Sequence, residues 1–410
     1  MLDKNYLTLS EALNLLLGSL KKDCLPAEEV SLDDAYERVV AEDIISGENL
    51  PGFRRSTVDG YAVKSKDTFG ASESMPVYLT LKGEVNMGEA PNFSISSGEC
   101  ARVFTGGMLP EGTDAVVMLE YAEEAGGNLV EILKPVSPWE NVIREDEDLK
   151  KGEVIVKSGT VLKPQHIGAL AGAGITRIRV KKRPKVGIVL TGDEVIPPEK
   201  KPKPGEVRDI NSFTLWGLIK RDGGAPVKYG IVKDEYEKLK DAVGKAFSEC
   251  DVVLVTGGTS AGTKDMTAKI ISELGKPGIL FHGARIKPGK PIIGAVCNNK
   301  PVFGLPGHPV AVFVTYEVFV KPVIHHLLGV SQKEFRPKVK AILEKTVTSQ
   351  SGRRDFVRVK LEEKNGKLFA TPLVTKSGLI TSLSKADAIL VVTEDINGFS
   401  KGDEVEVELL

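Results

Sequence analysis

The stretch DVVLVTGGTSAGTKD, residues 251–265, decides the fold. Residues 252–255 are all Val or Leu, and they run into a loop with three glycines and four hydroxyl side chains that closes on Asp265. A strand that is apolar on both faces must be covered on both, which is the situation of a parallel sheet between helices. Three other short runs have the same character: KVGIVL (185–190), APVKYGIV (225–232) and PVFGL (301–305). Helical stretches lie between them, notably DEYEKLKDAVGKAFSE (234–249) and DMTAKIISEL (265–274). This alternation predicts a doubly wound α/β domain over residues 184–332.

Outside that domain the pattern changes. Residues 1–45 read as two helices. In the first, TLSEALNLLLGSL (8–20), Thr8 and Glu11 stand in capping-box spacing. The second, SLDDAYERVVAEDI (31–44), starts at Ser31 as its cap. Residues 46–144 turn to short β runs such as MPVYLTL (75–81) and ARVFTGG (101–107), broken by Gly, Pro and Asn. Residues 145–183 hold one more helix, KPQHIGALAGAGI (163–175), and return to the first layer. The expected organisation is therefore an N-terminal helical/linker domain (1–45 plus 145–183) with a β-rich domain (46–144) inserted in it. The α/β domain (184–332) and a small C-terminal β-barrel domain (333–410) follow.

Composition excludes several classes. The chain has 410 residues and a formal net charge of −1, so it shows no electrostatic footprint for nucleic acid. The four cysteines (Cys24, Cys100, Cys250, Cys297) form no C-x-x-C pair, which excludes a cysteine zinc cage and points to reduced thiols. The apolar part of the first helix is shorter than the roughly 20 residues that span a bilayer. A cytoplasmic, membrane-free protein is expected.

The chemistry concentrates on one sheet edge. In a parallel sheet all strand C-termini lie together, and ligands bind in the crevice outside them. Three unusual loops end there: VLTGDEV (189–195), LVTGGTSAGTKD (254–265) and GLPGHPVA (304–311). Thr191, Gly192, Gly257, Gly258, Thr259, Ser260 and Gly262 supply small side chains and close backbone N–H groups, which favour anions. KPGKP (287–291) presents Lys287 and Lys290 on a rigid turn. The neighbouring acids Asp193, Glu194 and Asp265 would repel a phosphate unless Mg²⁺ intervened. The loop is not a Walker A sequence and carries no G-x-G-x-x-G, and H-E-x-x-H does not occur in the chain. Phosphate-anhydride or phosphoryl-like chemistry with Mg²⁺ as Lewis acid is the expectation.

Six motifs, taken in order, resemble those of the MoeA family of molybdopterin molybdenumtransferases, to which the gephyrin E domain is related. They are STVDGYAV (56–63), TGGMLPEGTDAVV (105–117), TGDE (191–194), TGGTSAGTKD (256–265), KPGKP (287–291) and LPGHPV (305–310). The resemblance runs from the first helix to the last strand. It implies insertion of molybdenum from molybdate into adenylyl-molybdopterin with release of AMP, supported by Mg²⁺. It places Asp59 and Thr105 in the active cleft as catalytic residues with Glu194 and Asp265, and makes Asp59, Glu194 and Asp265 the metal candidates. Lys287 and Lys290 would serve the anion, Pro306 and Pro309 would shape the pocket, and Ser382 and Asp234 would add substrate contacts. Asp234 reads equally as the N-cap of the next helix. The family's homodimers share the cleft between subunits, and a transient contact with the molybdopterin adenylyltransferase is implied.

Two departures stand out. NVIREDEDLKKG (141–152) has Ile143 where the family commonly has Arg, and Asp146 where it has Gly. His308 replaces a frequent Asn in the Pro-Gly-x-Pro turn. Two rival readings share some of these motifs: an adenylyltransferase or nucleotide pyrophosphatase built on the α/β domain alone, and a non-catalytic, gephyrin-like scaffold.

Overall fold

A computed structural model of the chain describes residues 6–257, 261–331, 336–373 and 376–410, with residues 261–264 described by their backbone alone. The α/β sheet has six strands: β1 (Lys185–Thr191), β2 (Ala225–Val232), β3 (Val252–Gly257), β4 (Pro277–His282), β5 (Ile293–Cys297) and β6 (Lys300–Leu305). Their spatial order is β2-β1-β3-β6-β5-β4. β2, β1, β3 and β6 are parallel, whereas at one edge β5 pairs antiparallel with β6, and β4 antiparallel with β5. The four parallel strands are those legible in the sequence.

Period-two alternation along β3 divides the core. Val252 and Leu254 pack with the helices Leu9–Gly18, Asn211–Arg221 and 309–328, while Val253 and Val255 pack with Tyr236–Glu249 and Ala261–Glu273. The chain moves outward from β1 to β2 with its helix on one face, then returns to β3 with its helix on the other. Right-handed crossovers require that change of face when the strand order reverses. The reversal leaves a switch point between the C-terminal ends of β1 and β3, where ligands bind in open α/β sheets. The helix 309–328 is long and apolar enough to cross a membrane, but 72% of it is buried inside the fold, as a core helix.

The first expected helix is present, and the Thr8–Glu11 capping box closes its start. The second is not. Ser31 does hold Asp34 as a cap would, with Asp34 N–H donating to its Oγ at 3.3 Å. The turn does not propagate, because Glu37 sits at φ 60°, and Val39 and Val40 bridge to Val161 and Val180. Residues Ala27–Ser31 are instead a strand paired with Arg177–Lys181.

Residues 46–144 contain a six-stranded sheet in the order 115–118, 60–63, 99–103, 77–85, 129–132, 122–126. The C-terminal region is a closed barrel of β7 (Lys338–Leu343), β8 (Arg354–Lys364), β9 (Lys367–Pro372), β10 (Ala388–Val392) and β11 (Glu404–Leu409). Its order β8-β9-β7-β11-β10 closes by pairing β10 with β8. The barrel is joined to the α/β domain by a sixth short strand, Ile286–Lys287, which pairs parallel with Arg354–Asp355.

Candidate active site

At the switch point β1 and β3 approach as closely as backbones can. Gly257 pairs with Thr191 at φ 124°, and a Cβ there would lie 1.7 Å from the Thr191 carbonyl oxygen. No side chain fits. Gly192, at φ 147°, turns the chain sharply, so that a Cβ would meet Glu194 Oε2 at 2.9 Å. The buried Thr191 hydroxyl donates to Asp234 Oδ1 at 2.5 Å. Asp234 therefore reaches into the first loop, and no side chain caps the helix that follows it. Asp193 joins them through the Asp234 N–H, which donates to Asp193 Oδ1 at 3.3 Å.

The second and third loops are held together by Asn211, whose buried amide donates to Gly307 O at 2.8 Å and to Thr256 Oγ1 at 3.3 Å. Thr256 in turn donates to Pro306 O at 3.1 Å. These loops wall a cleft of about 280 Å³ lined by Glu194, Asn211, Gly257, Gly307, His308 and Pro309. Pro309 stands at the first position of helix 309–328, where its missing N–H costs nothing. Gly258, Thr259 and Ser260 lie outside the described residues, as do the side chains of residues 261–264; Gly262 contributes only backbone to the description. Asp265 is exposed on the first turns of helix Ala261–Glu273.

A second cavity, of about 590 Å³, opens where the barrel meets the α/β domain. Five of its wall residues are cationic: Lys287, Lys290, Arg353, Arg358 and Lys376. Its one carboxylate, Asp355, is buried and holds Arg353 in a two-point pair at 2.7 and 3.0 Å. Lys287 stands 3.9 Å from the same carboxylate, as its pairing partner in the joining strand dictates. Burial pulls the Arg358 guanidinium below its usual range. Lys290 is exposed and rests over the Tyr6 ring at 4.8 Å. An excess of cations around one buried acid favours an anion of more than one negative charge.

Asp59 and Thr105 meet at the six-stranded sheet within residues 46–144. Asp59 precedes the strand Gly60–Val63, and Thr105 follows the strand Glu99–Val103 with which it pairs. The Thr105 N–H and hydroxyl both donate to Asp59 Oδ1, at 2.7 and 2.8 Å. These two bonds, the backbone one first, hold the exposed Asp59 carboxyl below the usual carboxylate range. The hydrogen bonds described for this pair stay inside its own sheet and loops. Among the described residues no group of three His, Cys, Asp or Glu side chains is placed to hold a metal ion.

Comparison with known proteins finds three matches along the chain. Residues 7–174 match the MoeA N-terminal region (domains I and II), 187–326 a probable molybdopterin-binding domain, and 340–410 the MoeA C-terminal region (domain IV). A molybdopterin biosynthesis protein of Methanocaldococcus jannaschii is 39% identical over 99% of both chains. The chain belongs to the MoeA family. The molybdopterin molybdenumtransferase of Bacillus subtilis is 33% identical over 93% of this chain and 90% of its own. The solved molybdopterin biosynthesis MoeA protein of Pyrococcus horikoshii superposes with a TM-score of 0.85 at 36% identity, covering 99% of this chain and 100% of that one.

Within this MoeA chain, then, Thr191, Gly192, Glu194, Asp234, Gly257 and Pro309 gather at the switch point, and Lys287, Lys290 and Pro306 line the cationic cavity. Ser382 does neither; its hydroxyl donates to Leu379 O at 2.7 Å within its own short turn. Its neighbours Ser377 and Gly378 line the two cavities instead. Arg353, Arg358 and Lys376 were not singled out by sequence reasoning, because no motif surrounds them. Asp146 also has a reason: it sits at φ 62°, a backbone region that glycine enters freely and that Asp tolerates.

Proposed function

We propose that the chain is a molybdopterin molybdenumtransferase, inserting molybdenum from molybdate into adenylyl-molybdopterin and releasing AMP. The observation that carries the proposal is a switch-point cleft and a cation-lined cavity that share one wall at His308. A phosphate anhydride laid along Gly257 meets backbone rather than a side chain, because that position admits no Cβ, and at Gly192 it would lie beside the Glu194 carboxylate. A doubly charged tetrahedral oxyanion suits the Lys287, Arg353 and Lys376 wall, where guanidinium and ammonium donors converge. The matching of all three MoeA regions favours this reading over a stand-alone adenylyltransferase or a scaffold.

Within the reading each residue has a task. Thr191 and Asp234 fix the first loop, Asn211 fixes the second against the third, and Asp355 aims Arg353 into the cavity. Mg²⁺ is the cofactor implied, and Glu194 and Asp265 would hold it, with phosphate oxygens and water completing a shell of hard donors. The fit is one of donor chemistry: Glu194 folds its carboxylate back over Gly192, beside the proposed phosphate track. When bound, the ion would polarise phosphoryl oxygens as a Lewis acid.

The proposal extends to a homodimer in which Asp59 and Thr105 of one protomer complete the cleft of the other, Asp59 being ionised at neutral pH by its two bonds from Thr105. It places the enzyme in the cytoplasm, where free thiols persist. The test is AMP release from adenylyl-molybdopterin by the purified chain. Release that requires both molybdate and Mg²⁺ is expected, and no release above the protein-free rate overturns the proposal.

A further inference from the structure

His308 occupies the position just before helix 309–328. An Asn there commonly caps its own helix with its side chain. His308 does not cap. Its Nδ1 instead lies 2.8 Å from Ser377 Oγ, on the barrel side of the interface. Ser377 answers with its backbone, its carbonyl accepting from Val310 N–H at 3.1 Å and so taking over the capping. Two reciprocal bonds thus tie one turn of the α/β domain to one loop of the barrel. The ring also lines both cavities, and Ser377 and Gly378 line one each.

We propose that His308 is a positioning residue for the oxyanion: through Ser377 it holds the barrel loop 376–378 against the helix start, and thereby sets the width of the wall between the two cavities. The inference rests on the function proposed above for the location of the oxyanion, but the tie itself does not depend on that function. Lys376, one of the cavity's five cations, is the residue immediately before Ser377, so release of the loop displaces a charge that faces the anion. An Asn at this position would fit the same account. In both side chains the first polar atom is bonded to Cγ, so Asn Oδ1 can occupy the place of His Nδ1 and accept from Ser377.

Three substitutions test this. His308→Ala removes the polar atom that faces Ser377, His308→Asn keeps one at the same distance from the backbone, and His308→Gln moves it one bond further out. Amide exchange at Val310 is read first, because it needs no substrate. It should rise in the Ala and Gln variants and stay near wild type in the Asn variant. In the AMP-release assay the Ala and Gln variants should raise KM for molybdate about five-fold, the factor for one net hydrogen bond, with kcat within about two-fold. Ser377→Ala should match His308→Ala, and the double variant should be no worse than either, as expected for one shared interaction. Unchanged exchange in His308→Ala overturns the tie, whether or not the chain is a transferase. Raised exchange with an unchanged molybdate KM, or additive losses in the double variant, overturns the positioning role. Loss of wild-type AMP release alone overturns the proposed function and leaves the exchange result to decide the tie.

Discussion

Gly257→Ala is the sharpest perturbation of the switch point. The added Cβ would lie 1.7 Å from the Thr191 carbonyl oxygen, 2.7 Å from its carbon and 2.9 Å from its nitrogen. All three are backbone atoms, so no rotamer change relieves the contact. Ordinary separation of about 3.5 Å requires the two strand ends to part by roughly 2 Å. That movement opens the last Thr191–Gly257 pairing and pulls Thr191 from Asp234, now 2.5 Å away. The residue must also hold φ 124°, which costs a non-glycine residue about 1–3 kcal/mol. With about 1 kcal/mol for each hydrogen bond lost, a destabilisation of roughly 3 kcal/mol is expected. Displacement on this scale at a reacting centre also costs about 100-fold in rate. Thermal melting and AMP release are measured side by side, with Gly244→Ala as control. Gly244 lies within a helix with open space around its Cβ position, so Ala there should stabilise by about 0.4–1 kcal/mol. A Gly257→Ala protein with wild-type melting and activity would refute the close-approach argument.

Lys287→Ala should raise KM for molybdate and flatten its dependence on salt, since one screened charge is gone. Melting should move little, because Lys287 is exposed and Asp355 keeps its two-point bond to Arg353; a loss of core-mutation size would show a structural role instead. For the shared cleft, Asp59→Ala and Glu194→Ala should each be nearly inactive, yet mixed dimers should regain about a quarter of wild-type activity. Half of randomly paired dimers are mixed, and each has one intact cleft of two. No recovery, with mixed dimers confirmed by mass, would place both residues in one chain's site. A thiol reagent at pH 8 should label Cys24 slowly and the native protein at no other position. Cys24 is the exposed thiol, and burial pushes Cys100 up to about 12 and Cys297 to about 11. Rapid labelling of more than one thiol would contradict the packing.

What the sequence carried was local or periodic. The capping box at Thr8–Glu11, the four parallel strands and the three loops at their ends are legible because each depends on residues close in sequence. The antiparallel strands β4 and β5 were not read as such, since short buried runs carry no sign of direction. Ser31 promised a helix that Glu37, at φ 60°, and the bridges of Val39 to Val161 and Val40 to Val180 prevented. The cationic cavity was half visible. Lys287 and Lys290 stand in a motif, but Arg353, Arg358 and Lys376 come from another domain. They reach the site because the barrel docks on the α/β domain, through the pairing of Ile286–Lys287 with Arg354–Asp355 and the His308–Ser377 contact. Docking between domains is a long-range fact, and no window of sequence contains it.

The central claim is that one ligand pair occupies the two adjoining spaces, with its phosphate at the switch point and its oxyanion at the barrel interface. A crystal structure with AMP and tungstate, an anomalously scattering stand-in for molybdate, tests it directly. The account predicts AMP phosphate beside Gly192 and Gly257, and one strong anomalous peak among Lys287, Arg353 and Ser377. A tungstate peak outside that cavity, or AMP bound away from the β1 and β3 ends, would contradict it.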